Sequence, residues 1–309
     1  MTRRQSVVLW LLVLTSPLAA QTNVSGIITA DTTWSMSGSP YILTGDVTVR
    51  QTTGAIPTLT IEPGVEVQLN DRALQLGDPG GSNYPGILDA EGVTFTGTGS
   101  NARVRFFRGA GQRLAGCEFL GAFVQSGAGS GTISNIYVDA HNSSYGIIAS
   151  GTWTITAGIV ENALSKGIVG GGMLTISNVT IRNCGGSGLD FGGMGSTISA
   201  SNLNIVDNGT YGVSLDNCSG TVSGCVISGH TYPYLLVGGN SEIGGNDISG
   251  NTNLAIATFG VIALNTTWRA SWGMPKRPAR CPGPRRHPAH RRFSARSSAS
   301  RSFPPRNSR

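Results

Sequence analysis

The chain has 309 residues, of which 12% are charged and 7% aromatic, and it carries 45 glycines. Its formal net charge of +6 is misleading, because all 16 acidic residues lie between Asp31 and Asp247, a stretch with eight basic ones. That body has a formal charge of −8, unsuited to polyanions in general, which argues against a nucleic-acid binder.

Met1 to Ala20 reads as a secretory signal. Arg3 and Arg4 supply the positive end, and Val7 to Leu14 form an apolar run too short to span a bilayer. Pro17 breaks the run, and Ala19 and Ala20 precede Gln21, with Leu18 an imperfect residue for cleavage after Ala20. No cysteine follows, which argues against a lipid anchor, and no later stretch reaches 18 apolar residues. The expectation is a secreted or cell-surface chain with no membrane span after signal removal.

Residues 21–70 read as an N-terminal β cap and first turns. The strand-like phrases are Asp31-Thr32-Thr33-Trp34, Pro40-Tyr41-Ile42-Leu43 and Leu59-Thr60-Ile61-Glu62-Pro63-Gly64. Such a segment would shield the open edge of the first coil. Asp78 to Asn83 reads as a loop, after which Val93-Phe95 and Cys117-Phe119 begin a ladder.

From about Asn135 to Ala263 one phrase returns at a nearly fixed spacing. Its anchors are Val138, Val160, Ile181, Ile205, Ile227 and Ile248, spaced 22, 21, 24, 22 and 21 residues apart. A period in this range marks a solenoid. The residues two before the anchors are Ile136, Gly158, Val179, Leu203, Cys225 and Asn246. A second short strand follows at Gly167-Ile168, Gly188-Leu189, Gly212-Val213, Tyr234-Leu235 and Ala255-Ile256. A third contains Ile155, Ile176, Ile198, Val222 and Ile243. Alternation over three to five residues between Gly, Asn and Ser clusters specifies strands. The fixed leucine phrase of leucine-rich repeats is missing, and helical repeats need about 34 residues and few glycines. The spacing therefore predicts an all-β parallel β-helix, with coils over 71–264. Asn183 and Asp207, two after their anchors, are expected to stack as turn residues whose side chains bond along the column, with Gly229 and Gly250 continuing it.

Residues 265–275 start a second capping phrase, because Asn265-Thr266-Thr267-Trp268 followed by Pro275 repeats Asp31-Thr32-Thr33-Trp34 followed by Pro40. Residues 276–309 then contain no acidic residue and no period, and read as a basic disordered tail. Two origins are open. A shifted reading frame is favoured, since GC-rich codons out of frame yield Arg, Pro, Ala and Ser. A basic arm that binds nucleic acid or another polyanion is the other.

The phrases from Trp34 to Gly64, followed by glycine- and asparagine-rich coils, resemble secreted bacterial right-handed parallel β-helix repeat proteins of pectin-lyase-like fold. The resemblance covers about residues 22–268 and implies the right hand of the coil. The best-known members are polysaccharide lyases and hydrolases. Lyase chemistry needs acidic ligands for Ca²⁺ and a basic residue for proton abstraction. Asp139, Glu161 and Arg182 each follow an anchor by one, which stacks them about 5 Å apart on the outer surface. They are the candidate site residues, and an exposed salt-bridged ladder is the alternative reading of the same three.

The hydrolase set that the resemblance implies is not matched. Gly229-His230-Thr231 and the wrongly spaced pair Asn204 and Asp207 are its only traces, and His230 reads as a turn residue. A glycosidase needs two facing carboxylates, yet Asp190 and Asp216 fall at different phases of neighbouring coils. Trp34, Tyr145, Trp153, Tyr211, Tyr232 and Tyr234 could stack on sugars if exposed. Cys117 and Cys225 are expected in the core, while Cys184 and Cys218 sit near turns, and no cysteine spacing suggests zinc. The chain thus reads as a secreted or cell-surface module with a structural, adhesive or carbohydrate-binding role and no evident catalytic set. Its partners would be extracellular polysaccharide or cell-surface components. The alternative is a divergent polysaccharide lyase or glycoside hydrolase acting on an extracellular glycan, with Ca²⁺ as the cofactor that lyase chemistry would bring.

Overall fold

The computed structural model describes residues 21–80, 83–253, 256–259 and 268–269. The signal-like segment 1–20 and the basic tail 276–309 lie outside these residues, as does the second capping phrase apart from Trp268 and Arg269.

Every strand pairing among them is parallel, and the chain winds through three faces in turn for about ten turns. The only helical piece described is the single 3-10 turn Met36–Gly38. On the anchor face, Val138 pairs with Val160, Val160 with Ile181, Ile181 with Ile205 and Ile205 with Ile227. All five are fully buried, and Ile248 packs half-buried against the same core. The row also runs back through Phe119, Phe95, Val67 and Tyr41, which carry the same register. Phe95 and Phe119 stack there with ring centroids 4.7 Å apart. Each such side chain contributes about 1.5–3 kcal/mol by leaving water, which is why the apolar residue holds its phase.

The second face stacks Val47, Leu74, Val104, Val124, Ile147, Ile168, Leu189, Val213 and Tyr234. The inward residue of its Tyr234-Leu235 strand is therefore Tyr234, opposite Val213, and not Leu235. Pro233 has replaced the glycine that opens the strand elsewhere. The third face stacks Trp34, Ile61, Ala90, Leu114, Ile133, Ile155, Ile176, Ala200, Val222 and Ile243, and the backbone of Trp268 pairs opposite Ile243. Residues 22–49 wind in the same sense as the later coils. Thr22–Ile28 pairs with Tyr41–Val49, and Thr32–Trp34 pairs with Leu59–Ile61. Asp78, at the start of the expected loop, donates its N–H to the Tyr84 carbonyl at 3.0 Å.

One corner explains much of the glycine and asparagine content. The residues three before successive anchors are Gly64, Gly92, Gly116, Asn135, Ala157, Asn178, Asn202, Gly224 and Gly245, all with φ between 51° and 84°. This left-handed conformation favours glycine and tolerates asparagine. Ala157, at φ 57°, is the exception. A second left-handed column contains Asn162, Asn183, Asp207, Gly229 and Gly250. Asn183 and Asp207 thus stack as expected, but no side-chain bond joins them among the described residues. Backbone geometry is what this column shares.

The side-chain ladder lies one position further on. Asn251 Oδ1 accepts from the His230 N–H at 3.0 Å and lies 3.1 Å from His230 Nδ1. His230 Nε2 sits 3.2 Å from Asn208 Nδ2, and Asn208 Oδ1 accepts the Cys184 N–H at 3.0 Å. With the proton on Nδ1, each contact joins a donor to an acceptor.

Candidate functional site

The anchor-face strands place Asp139, Glu161 and Arg182 on adjacent rungs, Asp139 opposite Glu161 and Glu161 opposite Arg182. Arg182 Nε lies 2.5 Å from Glu161 Oε2. The other carboxylate oxygen, Oε1, accepts the Tyr137 hydroxyl at 2.6 Å. Asp139 Oδ1 accepts from Asn162 Nδ2 at 3.0 Å, and its Oδ2 meets His141 Nδ1 at 3.2 Å. Glu161 is buried, with its side chain 9% exposed. The hydrogen bond to Glu161, and then burial, push the Tyr137 hydroxyl up to about 12, so it keeps its proton at neutral pH. The same carboxylate holds the Arg182 guanidinium above its usual range.

Tyr137, His141 and Asn162 were missed in the sequence. Tyr137 shares the outward phase of its strand but sits one before an anchor, and periodicity alone cannot pair it with a glutamate one rung away. His141 follows its anchor by three, like His230, yet it is exposed. In its coil Ala140 takes the inward turn position, whereas His230 is almost fully buried. Burial lowers the pKa of His230. Asp190 stands opposite Ser214 and Asp216 opposite Gly192, so these carboxylates do not face each other. Asp190 pairs with Lys166 at 2.6 Å.

The aromatic residues divide sharply. Trp34, Trp153 and Tyr234 are in the core. Trp34 stacks on Tyr41 at 4.7 Å, and Trp153 Nε1 donates to Ser126 Oγ at 2.7 Å. Tyr145, Tyr211 and Tyr232 are half-buried, with the last two stacked at 5.9 Å. Cys117, Cys184, Cys218 and Cys225 are all buried free thiols, and burial pushes Cys184 up to about 11. Among the described residues, no group of three or more His, Cys, Asp or Glu side chains is placed to hold a metal ion.

A groove of about 270 Å³ opens on the second face, around the 140–144 turn from Asp139. Its walls include Arg103, Arg105, Phe123, Gln125, Ser143 and Tyr145. Arg103 lies one rung from Phe123, and Arg105 one rung from Gln125. The Arg103 guanidinium sits 5.8 Å from the Phe123 ring centre, and that of Arg105 sits 4.0 Å from Phe107. Arg103 Nη1 reaches only the carbonyl and side chain of Asn101, at 3.4 and 3.3 Å, and its buried Nε has no acceptor. Among the described residues neither arginine makes a direct ion pair, and the nearest acid to act on Arg103 is Asp71, which Asn101 bonds. Burial, and then the charge of Arg103, lower the pKa of Arg105.

Comparison with known proteins agrees with this architecture. Residues 167–267 match the family model described as a right-handed beta helix region. The fold is a right-handed parallel β-helix. No curated protein sequence matches the chain. Among solved structures, the β-helix is similar to the A-module of mannuronan C-5 epimerase AlgE4 from Azotobacter vinelandii. The two share 14% identity at a TM-score of 0.41, over 81% of this chain and 91% of that one.

Proposed function

We propose that this β-helix is an extracytoplasmic surface module that binds a glycan carrying sparse acidic groups, through the Arg103/Arg105 groove. One observation carries the reading. Two neighbouring arginines make no direct ion pair among the described residues, Asp71 reaching Arg103 only through Asn101, in a body with twice as many acidic as basic residues. A guanidinium held without a partner is a ready donor for a planar anion. Tyr145, half-buried, offers ring surface for a pyranose face, and Gln125 offers a hydroxyl-matching polar group, while Phe123 and Ser143 are buried beneath them. The volume suits one sugar unit, since drug-sized sites take roughly 300–1,000 Å³. A body of charge −8 repels a densely charged polyanion, so the ligand is a chain with isolated acidic substituents. Export rests on Arg3, Arg4 and the apolar run Val7 to Leu14.

Calorimetric titration with acidic and neutral oligosaccharides tests the reading. Binding of the acidic ones, weakened at least tenfold by Arg103→Gln with Arg105→Gln and by Tyr145→Ala, is expected. Failure of every glycan to bind removes it. The lyase alternative has its own assay, a Ca²⁺-dependent rise in ultraviolet absorbance on polygalacturonate or alginate. Activity lost in Asp139→Ala and Arg182→Ala would replace the binding-module reading.

A further inference from the structure

The groove beside Arg103 and Arg105 has a continuation along the axis of the coil. Tyr145 stands on the groove wall, and Lys166 lies opposite it on the next rung of the second face. Ser187 follows, its carbonyl accepting the Gly167 N–H at 3.1 Å. Tyr211 comes next, its carbonyl accepting the Gly188 N–H at 3.1 Å, and Tyr232 stands opposite Tyr211. One column therefore runs Tyr145, Lys166, Ser187, Tyr211, Tyr232 over successive rungs.

The column has the chemistry of a sugar track. Tyr211 and Tyr232 are half-buried and their ring centroids lie 5.9 Å apart, so the stacked pair forms one apolar ledge two rungs long. Aromatic surface of this kind suits the apolar face of a pyranose. Lys166 meets Asp190 at 2.6 Å, and an ammonium carries three donors, more than one carboxylate oxygen uses. Between Lys166 and Tyr211 the chain is Gly185-Gly186-Ser187, with Ser187 buried, so that rung has almost no protruding side chain. A polymer can cross it unobstructed.

We infer that the groove is part of a linear site, in which a glycan chain with its acidic substituent on Arg103 and Arg105 runs along the coil axis and rests on the Tyr211/Tyr232 ledge. This rests on the groove reading above and adds the length and direction of the ligand. Tyr145 and Tyr211 are three rungs apart, roughly 14 Å, and Tyr232 lies roughly 19 Å from Tyr145. A single sugar unit fills the groove without reaching the ledge, so the ligand that touches both is an oligosaccharide or a polymer.

Calorimetry with two glucuronoxylan fragments tests the track. One is the disaccharide glucuronosyl-xylose. The other is a xylodecaose bearing one glucuronic acid near its middle, which reaches the ledge whichever way the chain runs. The full chain is expected to bind the decaose about tenfold more tightly than the disaccharide. Tyr211→Leu with Tyr232→Leu, which keeps apolar bulk, is expected to abolish that difference and leave the disaccharide affinity as it was. Tyr84→Leu, at an exposed tyrosine off the track, alters neither. A second measurement needs no variant: nitration of the parent chain by tetranitromethane, mapped by mass spectrometry. The bound decaose, and not the disaccharide, is expected to shield Tyr211 and Tyr232. Equal affinities for the two fragments, a length advantage that survives the loss of both rings, or unshielded tyrosines would overturn the track and leave the groove reading standing. Binding of neither fragment overturns both.

Discussion

The two outward polar clusters of this β-helix differ in what the fold has done with their charge. Around Glu161 every carboxylate oxygen of the two acids has a partner within 3.2 Å: Arg182, Tyr137, Asn162 or His141. Around Arg103 and Arg105 two guanidiniums line a groove, packed against Phe123 and Phe107, with no direct ion pair among the described residues and Asp71 reaching Arg103 only through Asn101. The first cluster is electrically closed and works on its own neighbours. The second leaves guanidinium donors without a direct carboxylate partner among the described residues, which is why the proposed glycan is placed there. Stacking itself brings regularly spaced acidic residues to partners, as it does Asp139 and Glu161.

The contrast breaks most readily on the groove. Replacing both arginines with glutamine removes charge-assisted hydrogen bonds worth about 1.5–3 kcal/mol each. Affinity for an acidic oligosaccharide is expected to fall by two orders of magnitude or more in calorimetry, with little change in melting temperature. Glu161→Ala should do the reverse. Its loss leaves Tyr137 and Arg182 without their acceptor and is expected to lower unfolding free energy by roughly 1–2 kcal/mol in urea titrations, while glycan affinity holds. A glycan affinity that tracks Glu161 and ignores the arginines would exchange the two roles.

His230 extends the comparison into the interior, where a polar group is again wholly used by the fold. Burial holds its pKa below 6.5. As pH falls through 6.5 the unfolded chain takes up a proton that the folded chain resists, so stability declines from about pH 6.5 downward. Protonation also places an N–H on Nε2, against the amide donor of Asn208. Urea midpoints measured from pH 7.5 to 5 should decline in the parent and less so in His230→Gln. The smallest effect expected is at the corner. Ala157→Asn places a residue that tolerates φ 57° where alanine is strained, and should stabilise by about 1 kcal/mol, read as a higher melting temperature.

The sequence made the anchor row legible because burial demands an apolar residue at one phase of every coil, and Val138 through Ile227 obey it. The stacking of Asp139, Glu161 and Arg182 followed from the same count. The groove did not. Arg103, Phe123 and Tyr145 belong to early coils, whose anchors Tyr41, Val67, Phe95, Phe119 and Val138 are spaced 26, 28, 24 and 19 residues apart. Without a constant period, outward residues of those coils cannot be stacked by counting. Tyr234 was misplaced by one position for a related reason, since proline hid the glycine that marks the strand start.

The corner column of left-handed residues has a consequence for how such a chain can change in length. Each lap re-enters the corner with the same backbone angles, so adding or excising one complete lap, cut at equivalent corners such as Asn178 and Asn202, returns every side chain to its former side. Removing half a lap turns the interior outward. The molecule is in that sense divisible only in whole units, and deletion variants of the middle laps should fold or fail according to where the cuts fall and not according to how many residues are lost.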